Sequence, residues 1–169
     1  MILPKWPYYD SDQIEIVKKV LNSGKVNRWT GNETINFEKE FSEFHNTKYS
    51  IALANGTLAL SAAYSAIGIN KGDEIITTPR TFIATASSAV MLGAKTVFAD
   101  VDLNSGNISA KSIEPLINEK TKAISIVHLA GWPSEMEKIC NLAHNNNLKV
   151  IEDCSQAHGA KINNKYVGS

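Results

Sequence analysis

Short apolar runs rich in β-branched residues alternate with stretches of helical spacing from residue 49 onward. This alternation limits the possible folds more than any other feature of the chain. The runs cover residues 49–54, 74–77, 96–100, 122–129 and 149–153. Between them the spacing predicts a helix from about Leu58 to Ile67 and a small-residue helix over 83–92. A further helix begins at Ser109 and carries Ile113, Leu116 and Ile117, and another carries Met136, Ile139, Cys140 and Ala143, with Pro133 in its first turn. Strands alternating with helices predict an α/β domain with a mostly parallel sheet flanked by helices. Right-handed crossovers then set the strand ends along one edge, where Gly56, Thr57, Phe82 and Asp153 are expected to converge.

Upstream the pattern differs. Residues 1–9 read as an extended arm, with Pro4 and Pro7 blocking a helix. Asp10 and Gln13 have capping-box spacing, Ile14, Val17, Val20 and Leu21 form one apolar face, and Gly24 ends that helix. A polar loop over 25–32 contains Arg28, Trp29, Thr30 and Gly31. The amphipathic helix after it sets Phe37, Phe41 and Phe44 on one face, a stripe expected to pack into a core. Near the other end, Asn163-Asn164 between two short runs reads as a tight hairpin turn.

Two turns carry the chemistry. Residues 150–159 run Val-Ile-Glu-Asp-Cys-Ser-Gln-Ala-His-Gly, a buried strand that ends in acids and then in small and polar residues. Open α/β sheets bind ligands beyond the carboxyl ends of their strands. Asp153 at such an end has two readings: a carboxylate that keeps a cationic ring nitrogen protonated, or a cap on the next turn. Asn55-Gly56-Thr57 also has two readings. A small-residue turn at a helix N-terminus presents N–H groups and the positive end of the helix dipole to an anion. Alternatively it is a plain strand-to-helix turn with Thr57 as cap. No GxGxxG dinucleotide fingerprint is present.

Composition excludes several classes. The 17 basic and 17 acidic residues balance, which argues against a nucleic-acid partner held through its phosphates. No run is long and apolar enough to span a bilayer, and the N-terminus has no secretory apolar region, so a cytoplasmic protein with no membrane partner is expected. Cys140 and Cys154 have neither metal spacing nor a disulfide framework and read as buried small residues, and no metal is expected.

Six segments taken together resemble one family. They are Ala54-Asn55-Gly56-Thr57-Leu58-Ala59-Leu60, Gly72-Asp73-Glu74-Ile75-Ile76, Thr81-Phe82-Ile83-Ala84-Thr85, Gly93-Ala94-Lys95, Val127-His128-Leu129-Ala130-Gly131 and residues 150–159. In this order and spacing they are similar to the N-terminal part of the DegT/DnrJ/EryC1/StrS family. These are aminotransferases that use pyridoxal 5′-phosphate (PLP) and the type I, aspartate aminotransferase-like fold, and most act on nucleotide-linked keto-sugars for cell-surface polysaccharide or amino-sugar biosynthesis.

The resemblance implies roles position by position. Gly56 and Thr57 match the turn that holds the cofactor phosphate, Phe82 the aromatic that stacks on the pyridine ring, and Asp153 the acid paired with the pyridinium nitrogen. Gln156 matches the residue beside the cofactor's phenolic oxygen. Trp29, Thr30 and Gly31 resemble a segment near the sugar-nucleotide site. The implied partners are a nucleotide-linked keto-sugar, an amino-acid amine donor and a second subunit of a homodimer. Residues 1–31 are expected to form an arm, helix and substrate-side loop, and 32–169 an incomplete PLP-binding large domain.

One departure matters. The family's Schiff-base lysine lies downstream of the aspartate, beyond a serine that also holds the phosphate, and the sequence stops at Ser169 before either. Lys161 and Lys165 fall in the expected hairpin instead. No catalytic residue is therefore assigned, and the chain reads as an N-terminal fragment of such an enzyme, inactive alone, with apolar faces left open. The other reading is a non-catalytic remnant or a binding module that pairs with a full-length homologue.

Overall fold

The computed structural model describes residues 7–169; most of the expected N-terminal arm lies outside the described residues. The chain divides into two compact units, Met1–Ala52 and Leu53–Ser169.

In the first unit, α1 (Ser11–Ser23) opens with the expected capping box. The Asp10 carboxylate accepts the Gln13 N–H at 2.8 Å, and the Gln13 side chain accepts the Asp10 N–H at 3.0 Å. Gly24 closes the helix in the left-handed region. Ile14, Val17 and Leu21 on its apolar face are exposed. The phenylalanine stripe lies on α2 (Glu33–His45), but only part of it is covered: Phe37 and Phe44 are half exposed, and His45 is the buried residue of the helix. Phe41 lies between Phe37 and His45, with ring centroids 5.4 and 4.4 Å away and the planes tilted. Among the described residues, this unit has α1 and α2 as its helices, too little structure to cover a stripe of that length.

The second unit contains a four-stranded parallel sheet of β1 (Glu74–Thr77), β2 (Lys95–Phe98), β3 (Thr121–Val127) and β4 (Lys149–Asp153), in the order β2-β1-β3-β4. Its helices are α3 (Gly56–Ala66), α4 (Ala84–Val90), α5 (Ala110–Ile113) and α6 (Met136–Asn145). Side chains alternate across a strand, and the core follows that rule. Ile75 and Ala123 pack with Leu60, Tyr64, Ala84 and Ala89 from α3 and α4. Their neighbours Ile76, Ile124 and Ile126 pack on the other face with Ile113 of α5 and Ile139 and Ala143 of α6. Burial on both faces explains the apolar runs of the two central strands, β1 and β3. A small antiparallel hairpin, β5 (Lys161–Ile162) and β6 (Lys165–Tyr166), turns at Asn163 and Asn164. Both asparagines have positive φ, as a two-residue hairpin loop of this kind requires.

Several expected boundaries shift. Residues 49–54 form no strand: no neighbouring strand is paired with them, Tyr49 and Ile51 are exposed, and the Ala52 N–H donates to the Glu38 side chain instead. Pro133 lies ahead of α6 rather than inside it. The Ser134 N–H and hydroxyl are bonded to His128 Nδ1 and the Val127 carbonyl, which holds this segment in a turn until Met136. The helix after Ser109 breaks at Ile113 into a 3-10 turn, Glu114–Leu116, because Pro115 has no N–H to continue it. Cys140 is exposed, at the edge of the α6 face that buries Ile139 and Ala143, and Cys154 is half-buried.

Candidate functional site

The turn into α3 is capped by Asn55, not Thr57. The Asn55 side-chain oxygen accepts the Leu58 N–H at 3.0 Å, and its carbonyl accepts the Ala59 N–H at 3.1 Å. Among the described residues the N–H groups of Gly56 and Thr57 are then left without a protein partner. They stand at the positive end of an 11-residue helix, an arrangement that receives an anion.

Asp153 ends β4 and is 9% exposed. Its Oδ2 accepts the Thr85 hydroxyl at 2.8 Å, and its Oδ1 accepts the Ser155 hydroxyl at 2.6 Å and the Ser155 N–H at 3.2 Å. Behind Thr85, the wholly buried Tyr64 places its hydroxyl 2.8 Å from both the Thr85 carbonyl and Ser125 Oγ. Burial pushes the Tyr64 phenol up to about 12. Gln156 accepts the Ala130 N–H on its side-chain oxygen at 2.8 Å, which leaves the amide NH₂ as the free donor. Ala130 makes this bond from a left-handed conformation, φ 54°.

Gly56, Thr57, Phe82, Asp153 and Gln156 all line one pocket of about 490 Å³, together with Asn55, Thr81 and Ser155. Phe82 is 69% exposed, so its ring is open to a stacking partner. The sequence reading assigned no role to Thr85, Ser155 or Tyr64. Nothing local marks Thr85 as a partner of Asp153, because it is 68 residues away along the chain, whereas Ser155 is two residues on, and its N–H bond to Asp153 Oδ1 is the turn cap that the sequence also allowed.

Trp29, Thr30 and Gly31 belong to the first unit. The Asn27 side chain accepts the Trp29 and Thr30 N–H groups, and the Asn27 carbonyl accepts the Gly31 N–H at 2.8 Å. A Cβ at Gly31 would strike the Lys25 carbonyl, so this turn needs glycine. The Trp29 side chain is 95% exposed. Nearby, Arg28 pairs with Glu38 at 2.6 Å, and this bond, then the Ala52 N–H, hold the Glu38 carboxyl below the usual range.

His128, Glu152 and Cys154 bring ligand-type atoms within 4.8 Å of one another. Both ring nitrogens of His128 are engaged within the protein. The Ser134 N–H donates to His128 Nδ1 at 3.0 Å, so the neutral ring carries its proton on Nε2, 2.9 Å from Glu152 Oε2. Burial pushes the Cys154 thiol up to about 12.

The pocket thus offers an anion-receptive helix terminus, a buried carboxylate, an open aromatic face and an amide donor. A phosphorylated heteroaromatic ring with a protonated nitrogen fits this set. The sequence profile of the DegT/DnrJ/EryC1/StrS aminotransferase family matches residues 7–169. GDP-perosamine synthase of Escherichia coli O157:H7 is 40% identical over 163 residues, which are 96% of this chain and 44% of that protein. The dTDP-3-amino-3,6-dideoxy-alpha-D-galactopyranose transaminase of Aneurinibacillus thermoaerophilus is 42% identical over 163 residues, covering 95% of this chain and 44% of that protein. An X-ray structure of the aminotransferase from Psychrobacter cryohalolentis superposes with a TM-score of 0.96 at 52% identity, over 98% of this chain and 42% of that one. The chain therefore spans less than half the length of these relatives. The family and the solved proteins of the same fold, one of them holding the cofactor in its amine form, indicate pyridoxal phosphate as the cofactor, and the pocket's donor set fits it. With the α/β fold, the pocket and the matched residues in agreement, this chain belongs to the DegT/DnrJ/EryC1/StrS aminotransferase family.

Proposed function

We propose that this chain is the cofactor-holding part of a PLP-dependent aminotransferase that moves an amino group from an amino-acid donor to a nucleotide-linked keto-sugar. The convergence of Gly56, Thr57, Phe82, Asp153 and Gln156 on one pocket carries the reading. The nucleotide-sugar substrate class is supported by relatives whose names specify GDP- and dTDP-linked amino sugars.

In this reading the free N–H groups of Gly56 and Thr57, with the Thr57 hydroxyl, bind the phosphate. Phe82 covers one face of the pyridine ring. Asp153 keeps the ring nitrogen protonated, because an opposite charge in contact favours the charged form. The Gln156 NH₂ donates to the phenolic oxygen. When bound, the cofactor supplies an electron sink; the residues here bind it, orient it and hold a proton on its ring nitrogen. Lys161 and Lys165 take no part. They sit on the hairpin strands, and Lys161 lies over the Tyr166 ring at 4.3 Å.

Trp29, Thr30 and Gly31 are proposed to face the sugar nucleotide, with residues 1–31 as arm, helix and substrate-side loop and residues 32–169 as part of the PLP-binding large domain. The working form is proposed to be a cytoplasmic homodimer with neither nucleic acid nor membrane as partner. No helix among the described residues is long and apolar enough to cross a membrane.

Calorimetric titration of the chain with pyridoxamine 5′-phosphate tests the reading. Saturable binding that Asp153→Ala and Thr57→Ala each weaken by tenfold or more, on the order of a charge-assisted hydrogen bond, is expected. Binding unchanged in both variants would remove the pocket from consideration.

A further inference from the structure

Asp153 meets the pocket with both oxygens already engaged from within the protein. A carboxylate has about four lone-pair sites, two on each oxygen. Ser155 fills both sites of Oδ1, with its hydroxyl at 2.6 Å and its N–H at 3.2 Å. On Oδ2 the Thr85 hydroxyl, at 2.8 Å, fills one. The one remaining acceptor site is therefore on Oδ2, beside the Thr85 hydroxyl.

Thr85 itself is fixed. It is wholly buried. Its hydroxyl has a single proton, and an ionised carboxylate only accepts, so that proton goes to Asp153. The 2.9 Å contact between the Thr81 and Thr85 hydroxyls then has Thr81 as donor. The Tyr64 hydroxyl, 2.8 Å from the Thr85 carbonyl, ties the backbone of α4 at this residue to α3, the helix whose N-terminus borders the same pocket. The terminal torsion of an aspartate is broad when free, and donors on opposite oxygens remove that freedom.

We infer that Thr85 and Ser155 are positioning residues that lock the plane of the Asp153 carboxylate and leave one lone pair of Oδ2 for the cofactor's ring nitrogen, so that the ring N–H and the Thr85 hydroxyl share that oxygen. The inference rests on the cofactor reading above and adds which oxygen is used and what holds it. Because Ser155 acts on the oxygen the ring does not use, the two residues differ in weight: Thr85 governs the ring nitrogen directly, and Ser155 only through the carboxylate plane.

The test uses pyridoxamine 5′-phosphate labelled with nitrogen-15 in the ring. It is bound to the chain, its ring-nitrogen NMR shift is followed against pH, and affinity is measured by titration. Thr85→Val is expected to weaken binding about tenfold, as loss of a hydrogen bond to a charged group does. It is also expected to shift the pH at which the bound ring nitrogen loses its proton by about one unit. Thr85→Ser restores both, and Ser155→Ala moves the ring titration less than Thr85→Val. Should Thr85→Val not fold, Thr85→Cys, with a weak donor of similar size, takes its place with the same two readings. An unshifted ring titration, a failure of Thr85→Ser to restore it, or an equal effect from Ser155→Ala overturns the inference. Absence of binding to the unaltered chain is seen before any variant is made; it overturns the cofactor reading and this inference with it.

Discussion

His128 and Glu152 face each other at the carboxyl ends of two adjacent parallel strands, with Nε2 and Oε2 2.9 Å apart. Glu152 is within the register, opposite Ile126, and His128 is one residue past the last pair, Val127 and Asp153. The His128 backbone N–H donates to the Asp153 carbonyl at 3.3 Å, while the ring, fully buried, is held by Ser134 on one nitrogen and Glu152 on the other. Glu152 Oε2 also accepts the Gly168 N–H at 3.0 Å, so one carboxylate fastens the segment after the hairpin.

This pair makes a stability prediction. His128→Ala removes a buried ring and leaves the Ser134 N–H unpaired, and is expected to cost about 2–4 kcal/mol. Glu152→Gln keeps an acceptor and is expected to cost less than half as much. Urea denaturation midpoints of the two variants, compared at equal slope, check the order. A milder loss for His128→Ala than for Glu152→Gln would show that the ring is not held as described.

Tyr64 sets a pH dependence. Its phenol is raised from 10.0 to about 12, first by burial, against the lowering effect of its bond to Ser125, with the nearby Asp153 charge adding to the rise. The raised group keeps its proton in the folded chain after the unfolded chain has lost it. Its contribution is therefore full below pH 10 and is lost as pH climbs through about 12. Stability is expected to fall across that window. Tyr64→Phe should remove this part of the slope and cost about 1–3 kcal/mol at neutral pH, because the Thr85 carbonyl and Ser125 lose their partner. Denaturation curves at pH 8, 10 and 11 for both proteins are the measurement.

The two thiols should separate kinetically. Cys140 is exposed, whereas Cys154 is half-buried and its thiol stands at about 12, raised by burial and by the Glu152 and Asp153 charges. A disulfide reagent at pH 8 is expected to titrate Cys140 promptly and Cys154 only once the chain unfolds. Equal rates for the two would mean that the turn after β4 opens readily.

Gln156 offers a variant that spares the fold. Its oxygen accepts the Ala130 N–H, and Gln156→Glu keeps that acceptor while replacing the NH₂ donor with a second oxygen. The exposed position predicts a stability change within about 0.5 kcal/mol. Affinity for pyridoxamine 5′-phosphate should fall about tenfold as a donor to the phenolic oxygen becomes a repelling charge. Titration and a thermal melt on the same sample separate the two effects.

Much of the second unit was legible in the sequence. The runs 74–77 and 149–153 fall on strands as read, because each has a β-branched pair, Ile75-Ile76 and Val150-Ile151, that favours a strand. The Asn163-Asn164 turn and the Asp10 capping box were legible for the same reason: each depends on neighbours within three residues. Where a feature depended on a distant partner, local pattern failed. Residues 49–54 have strand composition but no strand beside them, and the Phe37–Phe44 stripe has helical period but too little structure to cover it. In the pocket, the sequence supplied Gly56, Thr57, Phe82, Asp153 and Gln156 as a set through family resemblance, and the fold brought them to one place. Thr85 and Tyr64 came only from the fold, whereas Ser155, two residues after Asp153, fits the turn-cap reading of that aspartate.

By itself the sequence determined the class of architecture, since periodicity of two or 3.6 is a local property that burial reads directly. The tertiary structure decided the order β2-β1-β3-β4 and, with it, who meets Asp153. Parallel strands are joined by long crossovers, so residues at neighbouring strand ends are far apart along the chain. The Thr85 hydroxyl reaches Asp153 only once α4 and β4 have taken their places around the sheet.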